Sequence, residues 1–206
     1  MFCGKLDVTN YTNSIKRLAA QIAAERRGFE VRSRTAQGVP ERARLELRRP
    51  NQEPLQAVVR TSEAGLLGLR RDSKGGWKPL GSADFVLIAM KSGNRGRRGI
   101  EVLAFSKDTV VAALDAALAQ LTAADRRPPN EVPVFTSVDA DDKANLGHAL
   151  PGIRKDAIWT ETIHADELAP HVDVEDHDYI EVARRQFAKR NAVDVKRVTV
   201  TFSISA

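Results

Sequence analysis

The chain has 206 residues, 42% of them apolar, with a formal net charge of +5 and a pI near 9.6. That is enough to bury a real core, in one large domain or in one domain plus a small second unit. A single cysteine, Cys3, excludes a disulfide scaffold, and neither a secretory leader nor an apolar run of membrane-spanning length is found, so a soluble cytoplasmic protein without a membrane partner is expected.

Residues 14–27 read as an amphipathic helix. Ile15, Leu18, Ala19, Ile22 and Ala23 recur at helical spacing behind Asn13 and Ser14 as caps, and Gly28 stops the run. A strand at 29–32 follows, then a turn through SRTAQGVPE, the alternating strand ARLELRR, a second turn RPNQEP and the strand LQAVVRT, which together predict a meander. LLGLRRD is a further strand, DSKGG turns the chain, and ADFVLIAM is apolar enough for a central strand buried on both faces. Beyond the basic loop SGNRGRRG the sheet continues into IEVLAFS. A long alanine-rich helix then starts behind Ser106 or Asp108, with Val111, Leu114, Leu118 and Leu121 on its inner face.

The proline pair of DRRPP is the best boundary, dividing a core at 1–125 from an extension at 126–206. Within the extension, EVPVFTSVD and the region of Trp159 are weakly patterned, and 138–178 reads as irregular. A helix in YIEVARRQFAKRN and a half-buried strand in RVTVTFSIS close the chain. The fold class expected is α/β, a mixed sheet flanked by helices with a loop-rich α+β extension.

The order helix, meander, helix, strand, together with VVRTS at 58–62, Gly76-Trp77 and ADFVLIA at 83–89, resembles the core of the PD-(D/E)XK nuclease superfamily, the restriction-endonuclease-like fold. The resemblance covers a little over half of the chain. It implies a Mg²⁺-dependent deoxyribonuclease site, in which carboxylates hold the cation and a neighbouring lysine polarises the attacking water. Carried over by position, that lysine is Arg60, the acid two residues earlier is Val58, and the aspartate of the preceding strand falls on or near Arg44. Valine cannot bind a metal, and arginine stays protonated and cannot serve as a base. A relocated site would use Glu46, Gln56 and Arg60, with Glu25 or Glu30 approaching from the helix or the first strand. The plainer alternative makes Glu46 and Gln56 solvent-facing strand residues and pairs Arg60 with one of the acids.

Charge is divided unevenly. Residues 1–107 carry 21 Lys and Arg against 10 Asp and Glu, a balance of +11, and residues 108–206 carry 11 against 17, a balance of −6. A basic front suits a polyanion such as DNA or RNA; docking of two oppositely charged halves accounts for the same numbers. Arg95, Arg97 and Arg98 in GNRGRRG are placed to contact phosphates, and Arg184, Arg185, Lys189 and Arg190 form a second basic strip. Aromatic residues make up only 5% of the chain, which argues against a stacking platform for single strands.

Two acidic clusters have plain structural readings. His171, Asp173, Glu175 and His177 alternate in HVDVEDHD and on an extended strand would offer Zn²⁺ or Mn²⁺ ligands, but Asp176 and Asp178 equally suit the start of the following helix. Asp139, Asp141 and Asp142 read as a turn and cap. No nucleophile elbow or Walker loop is found. Three functions remain open: a nucleic-acid-binding protein with an inactive nuclease-like core and no cofactor, a metal-dependent endonuclease with a relocated site, and a protein-interaction or immunity-type module.

Overall fold

The computed structural model describes residues 12–34, 39–92, 99–139 and 150–168, which lie in one compact unit. The expectations placed on Cys3, Arg95, Arg97, Arg98, Asp141, Asp142, His171, Asp173, Glu175, Asp176, His177, Asp178 and the closing helix and strand lie outside these residues.

The first element is helix α1 (Asn13–Arg26). Its cap is Thr12, whose side chain accepts a hydrogen bond from the Ile15 amide at 3.3 Å, one residue earlier than the capping expected at Asn13. Gly28, at φ +81°, takes the left-handed conformation that ends the helix. Strands β1 (Glu30–Ser33), β2 (Arg44–Arg48) and β3 (Leu55–Ser62) form the predicted meander, both pairings antiparallel.

After β3 the chain leaves the sheet. β4 (Leu66–Arg71) and β5 (Trp77–Lys78) make a hairpin, turned by Asp72, whose carboxylate accepts from the Lys74 and Gly76 amides at 2.8 Å. A single 3-10 turn, Leu80–Ser82, leads into β6 (Phe85–Lys91), which returns parallel to β3. β7 (Gly99–Ser106) pairs antiparallel with β6. Helix α2 (Lys107–Ala123) follows at once, capped by Ser106, whose hydroxyl accepts from the Thr109 amide at 3.1 Å.

Among the described residues two strands lie beyond the proline pair, in the region that reads as weakly patterned. β8 (Val134–Ser137) pairs antiparallel with β4, and β9 (Trp159–His164) pairs antiparallel with β7. The result is a mixed α/β unit with a six-stranded sheet in the order β1-β2-β3-β6-β7-β9 and a three-stranded sheet in the order β5-β4-β8. A short helix α3 (Ala165–Leu168) ends the described part. The expected boundary at 125 is therefore displaced: Pro128 and Pro129 break the chain inside the unit, because the strands that follow complete sheets begun before them.

Alternation along the strands sorts the core into two layers. Leu45, Leu47, Ala57, Val59, Leu87, Ala89, Val102 and Ala104 are buried on the face that α1 covers with Leu18, Ala19 and Ala23. Val86, Ile88, Leu103 and Phe105 face the other way into a cluster with Leu67, Leu69, Trp77, Val134 and α2. The inner face of α2 is Val110, Leu114 and Ala117, with Val111, Leu118 and Leu121 half-buried at its margin. It is turned from the expected leucine line, of which only Leu114 is fully buried. Trp77 seals the layer, its indole N–H donating to the Asp115 carboxylate at 2.9 Å.

Because both sheets share that cluster, they should unfold together. Trp77 belongs to the small sheet and Trp159 to the edge of the large one, so Trp159→Phe and Trp77→Phe variants report the two separately by fluorescence. Their urea midpoints are expected to coincide, and Leu69→Ala should lower both alike, costing about 2–5 kcal/mol. Separated midpoints would contradict a shared core.

Candidate nucleic-acid interface

The face of the large sheet that α1 does not cover carries the charged side chains of β1, β2 and β3, with Glu46 and Val58 buried among them. Register and alternation place Arg32, Arg34, Arg44, Arg48 and Arg60 on it, against Glu30 and Glu46. Within this surface both oxygens of Glu46 are bound by arginines. Glu46 is 6% exposed, and its carboxylate accepts from Arg48 Nε at 2.6 Å and from Arg34 Nη2 at 2.5 Å. Those two hydrogen bonds, Arg48's the larger in effect, hold its carboxyl below the ordinary value. Glu46 is thus not the solvent-facing residue of the plain reading, and both of its oxygens are engaged by arginines.

Gln56 sits directly opposite Glu46 in the β2–β3 register, and Val58 opposite Arg44. Arg60 goes elsewhere. Its guanidinium donates to the Gly68 carbonyl at 3.2 Å, so its partner is a backbone oxygen of β4, neither Glu46 nor Gln56. Glu30 pairs with Arg32, and Glu25 accepts from Gln21 at the α1 surface. Glu30 and Glu46 are thus engaged by arginines of their own, and Glu25 by a glutamine of its own helix. Among the described residues no three of His, Cys, Asp or Glu gather into a metal-holding group, and Val58 and Arg44 supply no oxygen ligand, so the side chains present do not fit the Mg²⁺ that the nuclease resemblance implies.

Arg60 instead opens onto a cleft of about 710 Å³ between the end of β3 and the outer surface of the small sheet. Arg70 and Lys78 share it with Arg60, and Leu66, Pro133 and Phe135 supply apolar walls. Burial pushes the Arg60 guanidinium below its ordinary value, and no carboxylate offsets the cost. At the rim, Glu63 is tied up by Lys16, a lysine of α1 that is only 1% exposed and also donates to the Ser62 carbonyl at 3.0 Å. Arg60, Arg70 and Lys78, the positive charges that line the cleft, have no ion-pair partner among the described residues.

Two further features escape sequence reading. Arg154 donates to both oxygens of Glu101 at 2.7 and 2.9 Å and also pairs with Asp139. Glu101 first and Asp139 second raise its pKa, so Asp139 closes an ion-pair network as well as a turn. Phe135, the partner of Gly68 in the β4–β8 register, lies in the cleft and is 40% exposed. The only sequence signal for it is the alternation V-F-T-S, masked by the buried Thr136 and Ser137.

Comparison with protein-family models, with characterised proteins and with solved structures finds no match to this chain.

The Glu46 triad makes a pH prediction. A carboxyl whose folded pKa is depressed adds stability in full above its unfolded value and loses it as pH falls through the folded one. Glu46→Gln should therefore lower the urea midpoint at pH 7, and the gap to wild type should narrow as pH descends below the ordinary value of 4.5. A gap that stays constant through that range would mean the arginines do not act through the carboxylate charge.

Proposed function

We propose that the protein binds nucleic acid through the cleft at Arg60, Arg70 and Lys78 and the adjoining arginine face of the large sheet, on a nuclease-like core that does not hydrolyse its ligand. The observation that carries the reading is Arg60. A guanidinium withdrawn from water without a carboxylate beside it costs stability, and an incoming phosphate is the partner that would recover that cost. Arg70 and Lys78 extend the positive field along the same cleft, and the +11 balance of residues 1–107 favours the same kind of ligand. Support for the nuclease-like ancestry is the order helix, meander, helix, strand and the pieces VVRTS, Gly76-Trp77 and ADFVLIA. Support for the lack of hydrolysis is the inventory at Val58 and Arg44 and the arginine-bound state of Glu46.

The test is fluorescence anisotropy with labelled DNA and RNA over a salt series. Wild-type affinity should fall steeply with salt, since each neutralised phosphate releases condensed counterions. Replacing Arg60, Arg70 and Lys78 together by Gln should weaken binding across sequences and flatten the slope by roughly 0.7–0.9 for each phosphate that is no longer neutralised. Arg126→Gln with Arg127→Gln, exposed and outside the cleft, should change little. Replacing Arg95, Arg97 and Arg98 by Ala asks in the same assay whether the basic loop also touches the ligand. An unchanged affinity in the cleft variant would remove the cleft from the interface.

Catalysis is tested in parallel. Neither wild type nor Glu46→Ala should cleave labelled DNA in Mg²⁺ or Mn²⁺. Cleavage by wild type that disappears in a folded Glu46→Ala variant would establish a relocated metal site instead.

A further inference from the structure

Lys16 is the most deeply buried charged side chain among the described residues, 1% exposed against 6% for Glu46. It stands at the end of the first turn of α1, beside the buried Ile15 and Ala19. A cation is disfavoured there twice over. Burial strips its hydration, and the N-terminal end of a helix already carries partial positive charge. No acid of that first turn offsets it. The anion comes instead from Glu63, where the chain leaves β3: the ammonium donates to the Glu63 carboxylate and, at 3.0 Å, to the Ser62 carbonyl. The Glu63 side chain is 78% exposed, so the carboxylate meets the ammonium from the solvent side and can leave it with little loss of packing. Ser62 and Glu63 both line the cleft of Arg60, Arg70 and Lys78, and Glu63 is the only acid among the described residues that do so.

We propose that Glu63 is an internal competitor for the phosphates of the ligand. On binding, a phosphate takes the place of the carboxylate on Lys16, and the lysine becomes a fourth cation of the site beside Arg60, Arg70 and Lys78; this rests on the nucleic-acid reading above and adds what sets the affinity. The exchange conserves hydrogen bonds. The ammonium keeps the Ser62 carbonyl, gives up a carboxylate oxygen and gains a phosphate oxygen, while the released carboxylate is hydrated. Multivalency decides the trade. A single small anion meets Glu63 on equal terms, whereas a chain of phosphates already held by the other three cations brings its next phosphate to Lys16 at high local concentration. Glu63 therefore selects a polyanion over isolated anions.

The test uses the full chain, a labelled DNA oligonucleotide and, as a second probe, inorganic phosphate. Apparent affinity is the intrinsic affinity reduced by the fraction of molecules in which Glu63 has let go, so Glu63→Gln should bind the oligonucleotide about 3- to 10-fold more tightly than wild type. Glu53→Gln, exposed and outside the cleft, removes the same charge and should change little. Lys16→Met keeps the length of the side chain without its charge, and in that background the gain from Glu63→Gln should vanish. Unchanged or weaker binding by Glu63→Gln alone would overturn the inference. So would a gain of the same size in the Lys16→Met background, because Glu63 would then act only through its field on the cleft. Should Lys16→Met not fold, carboxyl carbon NMR of the wild type decides. The Glu63 signal should move toward that of an unpaired glutamate as oligonucleotide saturates the protein, and should stay in place with inorganic phosphate at the same phosphate concentration. A signal unmoved by the oligonucleotide, or moved as far by inorganic phosphate, overturns the inference. The two readings fail separately. If the Arg60, Arg70 and Lys78 variant binds as wild type does, the cleft itself is ruled out and Glu63 with it; if that variant weakens while Glu63→Gln does not tighten, only the role of Glu63 is.

Discussion

The parallel pairing of β3 with β6 is the constraint on which the rest of this structure depends. Two parallel neighbours cannot be joined by a tight turn; the chain must leave the end of one strand and travel back to the start of the other. Here the crossover at 63–84 is built of a hairpin, β4 and β5, and a single 3-10 turn. A helix would have satisfied its own backbone groups. An extended crossover leaves β4 with a free edge, and β8, arriving from beyond α2, fills it. The second sheet, the pairing of the chain beyond the prolines with the chain before them, and the cleft between the sheets all follow from that choice of connection.

The same connection explains why one strand can serve two purposes. Along β3, Ala57 and Val59 are buried under α1, while Val58, also buried, and Arg60 point to the opposite side, where Arg60 reaches the cleft. α2 fills only part of that side, above β6 and β7. Over β1, β2 and β3 the surface is lined by arginines, and two of them, Arg34 and Arg48, are spent on Glu46. Arg154 is likewise committed, to Glu101 and Asp139. These arginines stitch neighbouring segments together. Arg60 touches only a backbone carbonyl among the described residues, which leaves most of its hydrogen-bonding fork unspent.

What can be read in advance depends on how each element is stabilised. β6 is legible because a strand buried on both faces must be continuously apolar, and α2 because Ser106 caps it and its leucines recur. The inner face of α2 is less so, since Val110 and Ala117 lie fully buried beside Leu114 while Leu118 and Leu121 stand at its margin. β8 and β9 escape because their stability comes from strand pairing: Thr136 and Ser137 are buried polar residues, and β9 is an edge strand with polar side chains at most positions. Arg60 stands out by its place at the end of VVRTS, but its partner, a carbonyl on β4, depends on a crossover path that no local pattern encodes. Glu46 is noticeable for its chemistry, while Arg34, which helps to neutralise it, stands a full connection away in sequence.

Phe135 shows the limit of composition most sharply. A low aromatic fraction speaks against an extended series of stacking sites, because such a series needs many rings. It says nothing about where a single ring sits. The β4–β8 register sets Phe135 against a glycine, and the parallel crossover sets that glycine's carbonyl beneath Arg60. Neither relation is visible until the strands are paired. An apolar ring beside a cation is tolerable in any protein surface, as is a half-buried arginine without an acid. Their meeting in one cleft follows from strand pairing and from the crossover path, which no composition or local pattern announces.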